Sequence, residues 1–527
     1  MKKIQIIAAV IAIAGLCAPM HAQDLTPGKK LIERERLAEA ESFFKSELGK
    51  DPKNADACFY LGKIKAIQKD KNSAKEYFQK GLTLDNGSAL NLAGTAVISA
   101  IEKDAAASEA LTEAVDEDVN AKTEVLVNIA ELYIAFGEKD VALPKKLLEE
   151  TAKQEKKNPA VSAALGSLML SVNDPTSAIS NFQTAVDYDK TNYKAFTGRC
   201  VIYSRIKDFQ GAESAFNSAI AADSLYSPAY REAAEMYYLM KQYDKSVLNY
   251  KKYMELSGAS AEKRNRLAVL LYSAGDYKGV ASFINSLKAE EKTPSIKRIL
   301  ALSYYYADDS ANGPAAFADY ITSADKASIA ANDYGYYAKL LAKAGTDSLA
   351  IQNYKNAISL DSTNYDFHGE LAVIYFKKKM WDNSAVEYEK KLELMGKASK
   401  QPGVQDYFDL GKAYYYDSLY VQADTTFSML VAKIPNSPIG YFWKARTKSN
   451  FDPESEQGLA KPFYEKYIEL AQGEPEKNKR DLIEAYCYLG YYYYLMKDNA
   501  TSIDYWNKVA ALDPENAQAK EALKSLK

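Results

Sequence analysis

The sequence predicts an all-α solenoid of stacked antiparallel helix pairs, and three observations carry that expectation. A small residue recurs along nearly the whole chain, at Gly62, Ala96, Ala130, Gly166, Cys200, Ala234, Ala268, Ser303, Ala338, Ala372, Gly411, Ala445 and Gly490. The spacing is 34 to 36 residues except for two gaps of 39 and 45. Twelve residues beyond most of these lies a second small residue, such as Ala74, Ala178, Ala212, Ser246, Ala315, Ser384 or Ser502, and four further on an aromatic: Phe78, Phe182, Phe216, Tyr250, Tyr354, Tyr388, Phe427 and Trp506. Helix breakers close several repeats, as at Asp51-Pro52, Pro435 and Asp513-Pro514. Small residues let two helices approach closely, the aromatic fills the space between one pair and the next, and proline cannot continue a helix. Between these marks apolar residues recur at three- and four-residue spacing, and no strand-like alternation of useful length appears. A period this regular marks an array rather than one globular domain.

Along the chain, residues 1–22 read as an export signal. Lys2-Lys3 give a basic start, Ile4 to Leu16 an apolar core, and Met20-His21-Ala22 a cleavage site. The apolar run is too short and too early for a membrane span. Cys17 raises lipid attachment, but Leu16 stands where that signal wants a small residue. The mature chain is expected to begin at Gln23 and to be periplasmic, with outer-membrane association or secretion as alternatives. A helix over Leu31 to Leu48 is expected to open the array as the second helix of an incomplete repeat, because Ala40, Phe44 and Pro52 fall one period before Ala74, Phe78 and Asn86. The stretch Gly396 to Gly403 lengthens the period and suggests a joint between an array over 23–395 and another over 404–527, unless the solenoid is continuous. Longer connections are expected at Phe451-Asp-Pro-Glu and Gly473-Glu-Pro-Glu, and a polar capping helix after Pro514.

With small, aromatic and apolar residues at these offsets, the chain resembles the tetratricopeptide repeat family over roughly residues 28–527. The repeats of Gly166, Cys200, Gly411 and Gly490 carry the resemblance best, whereas those of Ala96 and Ala268 lack the aromatic. The resemblance implies a right-handed superhelical solenoid of about 13 helix pairs. It also implies that the first helices line a concave groove, with positions two, five, nine, twelve and thirteen facing inward when the small residue is counted eighth. That register gives Arg231, Glu235, Tyr238, Tyr272, Tyr304, Phe376, Phe408, Lys412, Tyr415, Tyr416, Tyr491 and Tyr494 as candidate partner-binding residues. The 41 tyrosines concentrate in runs such as Tyr304-Tyr-Tyr, Tyr414-Tyr-Tyr and Tyr491-Tyr-Tyr-Tyr. One member of each run (Tyr306, Tyr414 or Tyr493) should pack, since three consecutive helical residues cannot face one way. The others are left for the groove, where tyrosine suits peptide recognition. The lysine and asparagine set with which some family members hold a chaperone's carboxyl end is not matched: Lys194 is followed by Thr197 and Val201.

Charge and reactive residues narrow the function. The formal net charge is -3, and -5 without Lys2 and Lys3, which offers nothing to nucleic acid. Cys58, Cys200 and Cys487 are an odd set spread over distant repeats, so they read as small buried hydrophobes. His368, the one histidine of the mature chain, excludes a multi-histidine zinc site and reads as a packing residue. Asp308-Asp309 and Asp116-Glu117-Asp118 read as solvating charges. The expected protein is therefore a non-enzymatic interaction scaffold of the cell envelope, binding protein or peptide partners without metal or cofactor. A glycan-binding surface protein is the alternative, although only three tryptophans are present. A helical-toroid enzyme would need paired carboxylates facing one cavity, which the period does not supply.

Overall fold

The structure, a computed structural model, describes residues 24–118 and 120–526; the export signal expected at 1–22 lies outside the described residues. Every regular element among the described residues is helical. Contacts divide the chain into two compact units, one ending at Gly279 and one beginning at Val280. The first holds seven helix pairs and the single helix Ala261–Ser273; the division cuts the next helix, Tyr277–Asn285. The second holds six pairs, from Pro294–Tyr306 to Asn499–Leu512, and the terminal helix Ala517–Ser525. Repeats are numbered 1 to 14 in chain order, repeat 8 being the divided one. The stretch 396–403, where a joint was expected, connects Trp381–Lys397 to Val404–Tyr416 inside the second unit.

Local chemistry accounts for the hairpins. Asn and Asp side chains cap many helices: Asn54, Asp70, Asn192, Asp208 and Asp498 each accept a backbone N–H two or three residues into the helix. The turn inside each pair uses a left-handed residue. Glycine fills it at Gly137, Gly275 and Gly345, but lysine does so at Lys69, Lys103, Lys207, Lys241, Lys379 and Lys497, with φ of 58 to 66°. Where the second small position is serine, its hydroxyl donates to the carbonyl at the first: Ser246 to Ala234 at 2.7 Å, Ser384 to Ala372 at 2.9 Å and Ser502 to Gly490 at 2.8 Å.

The repeating aromatics are buried as expected, from Phe78 through Trp506. The closeness of approach shows at Phe182, in the second helix of repeat 5 (Pro175–Tyr188). A Cβ added to Gly166 of its own repeat would fall 2.7 Å from the Phe182 ring, and one added to Gly198 of the next repeat 2.3 Å. One ring therefore occupies the space two glycines vacate.

Two local expectations need correction. The helix expected over Leu31 to Leu48 is broken: Thr26–Glu33 and Leu37–Lys50 form a hairpin, with Glu35 left-handed at φ 58°. Gly28 is the small residue of this first repeat, 34 residues before Gly62, and its Cβ would lie 2.5 Å from Phe43 and Phe44. In repeat 9 the register is shifted by two. The first helix is Pro294–Tyr306 and its left-handed turn residue is Asp308, so Ala301 rather than Ser303 is eighth. The Leu302-Ser303 pair imitated the Leu-small signal of other repeats.

Candidate functional site

In the first unit the charged inward residues of several repeats are paired with the chain's own charges. The first repeat makes direct contacts with repeats 4, 6 and 7. Lys29 pairs with Glu124 at 2.6 Å, and Glu33 takes Lys194 at 2.8 Å and the Tyr193 hydroxyl at 2.9 Å. Lys194 also meets Glu131 at 3.1 Å, which in turn pairs with Lys63. Glu35 pairs with Arg231 and accepts from the Tyr253 hydroxyl at 2.5 Å, and the Ser227 hydroxyl donates to the Arg34 carbonyl at 2.6 Å. Burial by itself would raise the Glu131 carboxyl, but Lys194 and Lys63 outweigh it and hold the group well below the usual range. Arg231 is thus committed to this clasp. Glu235 grips Arg266 through both oxygens, and that guanidinium lies 4.8 Å from the Tyr238 ring. Tyr272 packs against Tyr277 at 5.6 Å.

The clasp is testable. Replacing Glu33 and Glu35 together by glutamine is expected to cost about 1–3 kcal/mol, because charge-assisted bonds are lost from a half-exposed network. Hydrogen exchange of residues 26–33 should accelerate while residues 404–433 stay unchanged; equal protection in both proteins would refute it. Because the Glu131 carboxyl is lowered on folding, its contribution is complete above its unfolded value, near pH 4.3, and fades as acid is added below it.

The second unit differs. Repeats 9 to 12 form a cleft of about 490 Å³, lined in part by Tyr305, Tyr336, Lys339, Glu370, Val373 and Asp409. Gly335 and Gly369, at position five of successive repeats, also line it. Tyr305 and Tyr336 stand 4.3 Å apart, and Lys339 meets Glu370 at 3.2 Å. Burial, then a hydrogen bond with Tyr306, pushes the Tyr336 hydroxyl up to about 12. The shifted register explains Tyr304: it is not an inward residue, and its hydroxyl accepts from Asn285 at 3.0 Å while Tyr305 lines the cleft. Tyr306, expected to pack, is 47% exposed; Tyr414 is buried and Tyr493 half-buried, as expected. Three carboxyl groups, on Asp366, Glu370 and Asp409, line this one cleft, which the periodic reading did not supply.

Beyond the cleft, Phe376, Phe408, Lys412, Tyr415 and Tyr416 come together as one aromatic cluster. The Lys412 ammonium lies 5.0 Å from Phe376, 5.1 Å from Phe408 and 5.7 Å from Trp443. Trp381 stacks on Tyr416 at 4.9 Å, and Tyr415 meets Trp443 edge-on at 5.3 Å. Arg446 covers Trp443 at 5.1 Å and pairs with Glu484 at 2.9 Å. Tyr491 and Tyr494 belong elsewhere: with Cys487 and Trp506 they line a separate cleft of about 590 Å³ under the terminal helix. The inward-position rule does not reach Tyr336, Glu370 or Asp409, which stand at position six; Lys339 and Val373 obey it at position nine.

Other reactive groups are quiet. Cys58 and Cys200 are buried, Cys487 is half-buried, and all three are free thiols. His368 is buried with Nδ1 2.7 Å from Glu387. No group of three or more His, Cys, Asp or Glu able to hold a metal ion occurs among the described residues. No described helix is long and apolar enough to cross a membrane.

A family model and several solved structures match the chain in whole or in part. The tetratricopeptide repeat model matches residues 55–87. The C-terminal part of a TPR repeat-containing protein from Cytophaga hutchinsonii is 33% identical, covering 49% of this chain and 99% of that one, with a TM-score of 0.42. A tetratricopeptide repeat protein from Parabacteroides merdae is 18% identical over 48% of this chain and 98% of that one, with a TM-score of 0.31. A chain of the structure of Naa15/Naa10 bound to HypK-THB is 12% identical over 95% of both, with a TM-score of 0.31. No curated protein matches the sequence. The chain belongs to the tetratricopeptide repeat family. Such repeats in general mediate protein–protein interaction, and scaffolds built from them are in general not enzymes.

Proposed function

We propose that this protein is an exported, non-enzymatic scaffold that holds a segment of a cell-envelope protein along the cleft of its second unit. The observation that carries the reading is the contrast between the inward residues of the two units. Inward charges of repeats 4, 6 and 7 pair with the first repeat, and Lys63 of repeat 2 pairs with Glu131 of repeat 4, whereas repeats 9 to 12 leave a cleft of aromatic and charged groups open. Tyrosine faces and a few fixed charges suit an extended segment of another chain, since they give area and orientation at small entropic cost. Export rests on Lys2-Lys3, the apolar run to Leu16 and the Met20-His21-Ala22 site. A saccharide on the aromatic cluster is less favoured, because Trp381 and Tyr416 stack on each other and Trp443 is buried.

Site-specific photo-crosslinking in the periplasm tests the reading. A photoreactive residue in place of Lys339 or Val373 should capture a protein partner, and one in place of Lys355, on the second helix of repeat 10, should not. Capture with equal yield at all three positions, or at none, would refute it.

A further inference from the structure

This inference rests on the cleft being the partner site, and it names the chemistry of the partner: we propose that the cleft of repeats 9 to 12 receives a cationic side chain, lysine or arginine, from a basic segment of the bound protein. The charges set the sign. Lys339 is already matched by Glu370 at 3.2 Å, and Lys391, also in the lining, is matched by Asp406 at 2.6 Å. That leaves Asp366 and Asp409 in the wall without an ion-pair partner among the described residues. Asp409 accepts a neutral amide hydrogen bond from Gln405 at 2.8 Å, and burial raises its carboxyl above the ordinary value, an effect that the charges of Lys412 and Lys391 oppose only in part. A cation beside it would restore the charge balance that burial upsets.

Two tyrosines supply an independent observation. Tyr354 and Tyr388 are 2% and 4% exposed, and both line the cleft. Neither hydroxyl has a hydrogen-bond partner among the described residues, so each is free to bond a group that enters the cleft. Both lie close enough to the acidic wall to feel it: after burial, the causes that raise them include Glu370 for Tyr354, and Asp409, Asp406 and Glu370 for Tyr388. A guanidinium or ammonium entering here would sit among two carboxylates, two free hydroxyl oxygens that accept, and the faces of Tyr305 and Tyr336. Carboxylate pairing and cation–π attraction then act together in a partly desolvated space. Both glycines at position five matter for access. A Cβ at Gly335 would lie 2.6 Å from Phe367, and one at Gly369 would lie 3.0 Å from the Lys391 side chain.

The test uses the mature protein and a displayed library of random nonapeptides. Enriched peptides should carry lysine or arginine beside an aromatic, and photo-crosslinks should map to the cleft. The variant Asp409→Asn, alone and with Glu370→Gln, should weaken the selected peptides about tenfold or more, the scale of a charge-assisted bond. Circular dichroism of each variant should match the parent. Peptides that map to the cleft but are acidic or neutral, or that bind the double variant unchanged, would overturn the cationic assignment and leave the cleft reading standing. Peptides that map elsewhere, or a library without binders, would overturn both.

Discussion

Replacing Phe182 by alanine is expected to destabilise repeats 5 and 6 by about 3–5 kcal/mol, the scale for emptying a fully buried aromatic site. The ring is 1% exposed and lies between glycines of two successive repeats, Gly166 and Gly198. Neither glycine has a side chain that could relax into the vacated space. The cost therefore falls near the upper end of what such truncations show. Because an array can lose its parts separately, the measurement is native-state hydrogen exchange over residues 159–222 rather than a single melting curve. Gly198→Val should produce a comparable loss from the other side, by driving a methyl into the same ring. A loss below about 1 kcal/mol for Phe182→Ala would mean that the helices close over the gap and that the ring is not the spacer between repeats.

The second large effect is expected at Asp333, the first-turn carboxylate of Ala331–Lys343. It is wholly buried and accepts from Arg298 at 3.0 Å, from the Tyr320 hydroxyl at 3.1 Å and from the Ala330 backbone N–H at 3.1 Å. These donors join the end of repeat 9 to the start of repeat 10. Alanine in its place strands the donors together, and the expected loss is about 3 kcal/mol, reduced from the fully buried case because the Arg298 side chain is partly exposed. Asp333→Asn keeps an acceptor and should lose about half as much. Urea titration monitored by tyrosine fluorescence reads both. Equal losses for the two variants would show that charge alone, not acceptor geometry, holds this joint.

The fold was legible because its marks are local. A glycine or alanine at position eight and an aromatic sixteen residues later state the packing of one hairpin without reference to any other. Repeat 9 was misplaced by two residues for the same reason: Leu302-Ser303 carries the local signal, while the true eighth residue, Ala301, follows Leu300 and looks no less ordinary. That slip exchanged Tyr304 for Tyr305 among the inward residues. Much of the cleft was less legible. Gly335 and Gly369 contribute space rather than chemistry, and Tyr336, Glu370 and Asp409 occupy a position the inward rule omits. The clasp could not be read at all, because Glu35 meets Tyr253 across 218 residues of chain and no short-range pattern announces such a meeting.

That separation has a consequence during synthesis. Most contacts in a repeat array form as soon as the neighbouring hairpin leaves the ribosome, yet Glu33 and Glu35 must wait for groups 160 to 218 residues downstream. At ordinary elongation speeds this is a delay of roughly 10–40 s. Throughout it the amino-terminal hairpin carries unmatched acidic groups, and the half-built array stays open to whatever basic surface passes by. Export before folding would remove that interval, since the whole unit would then close in a single compartment.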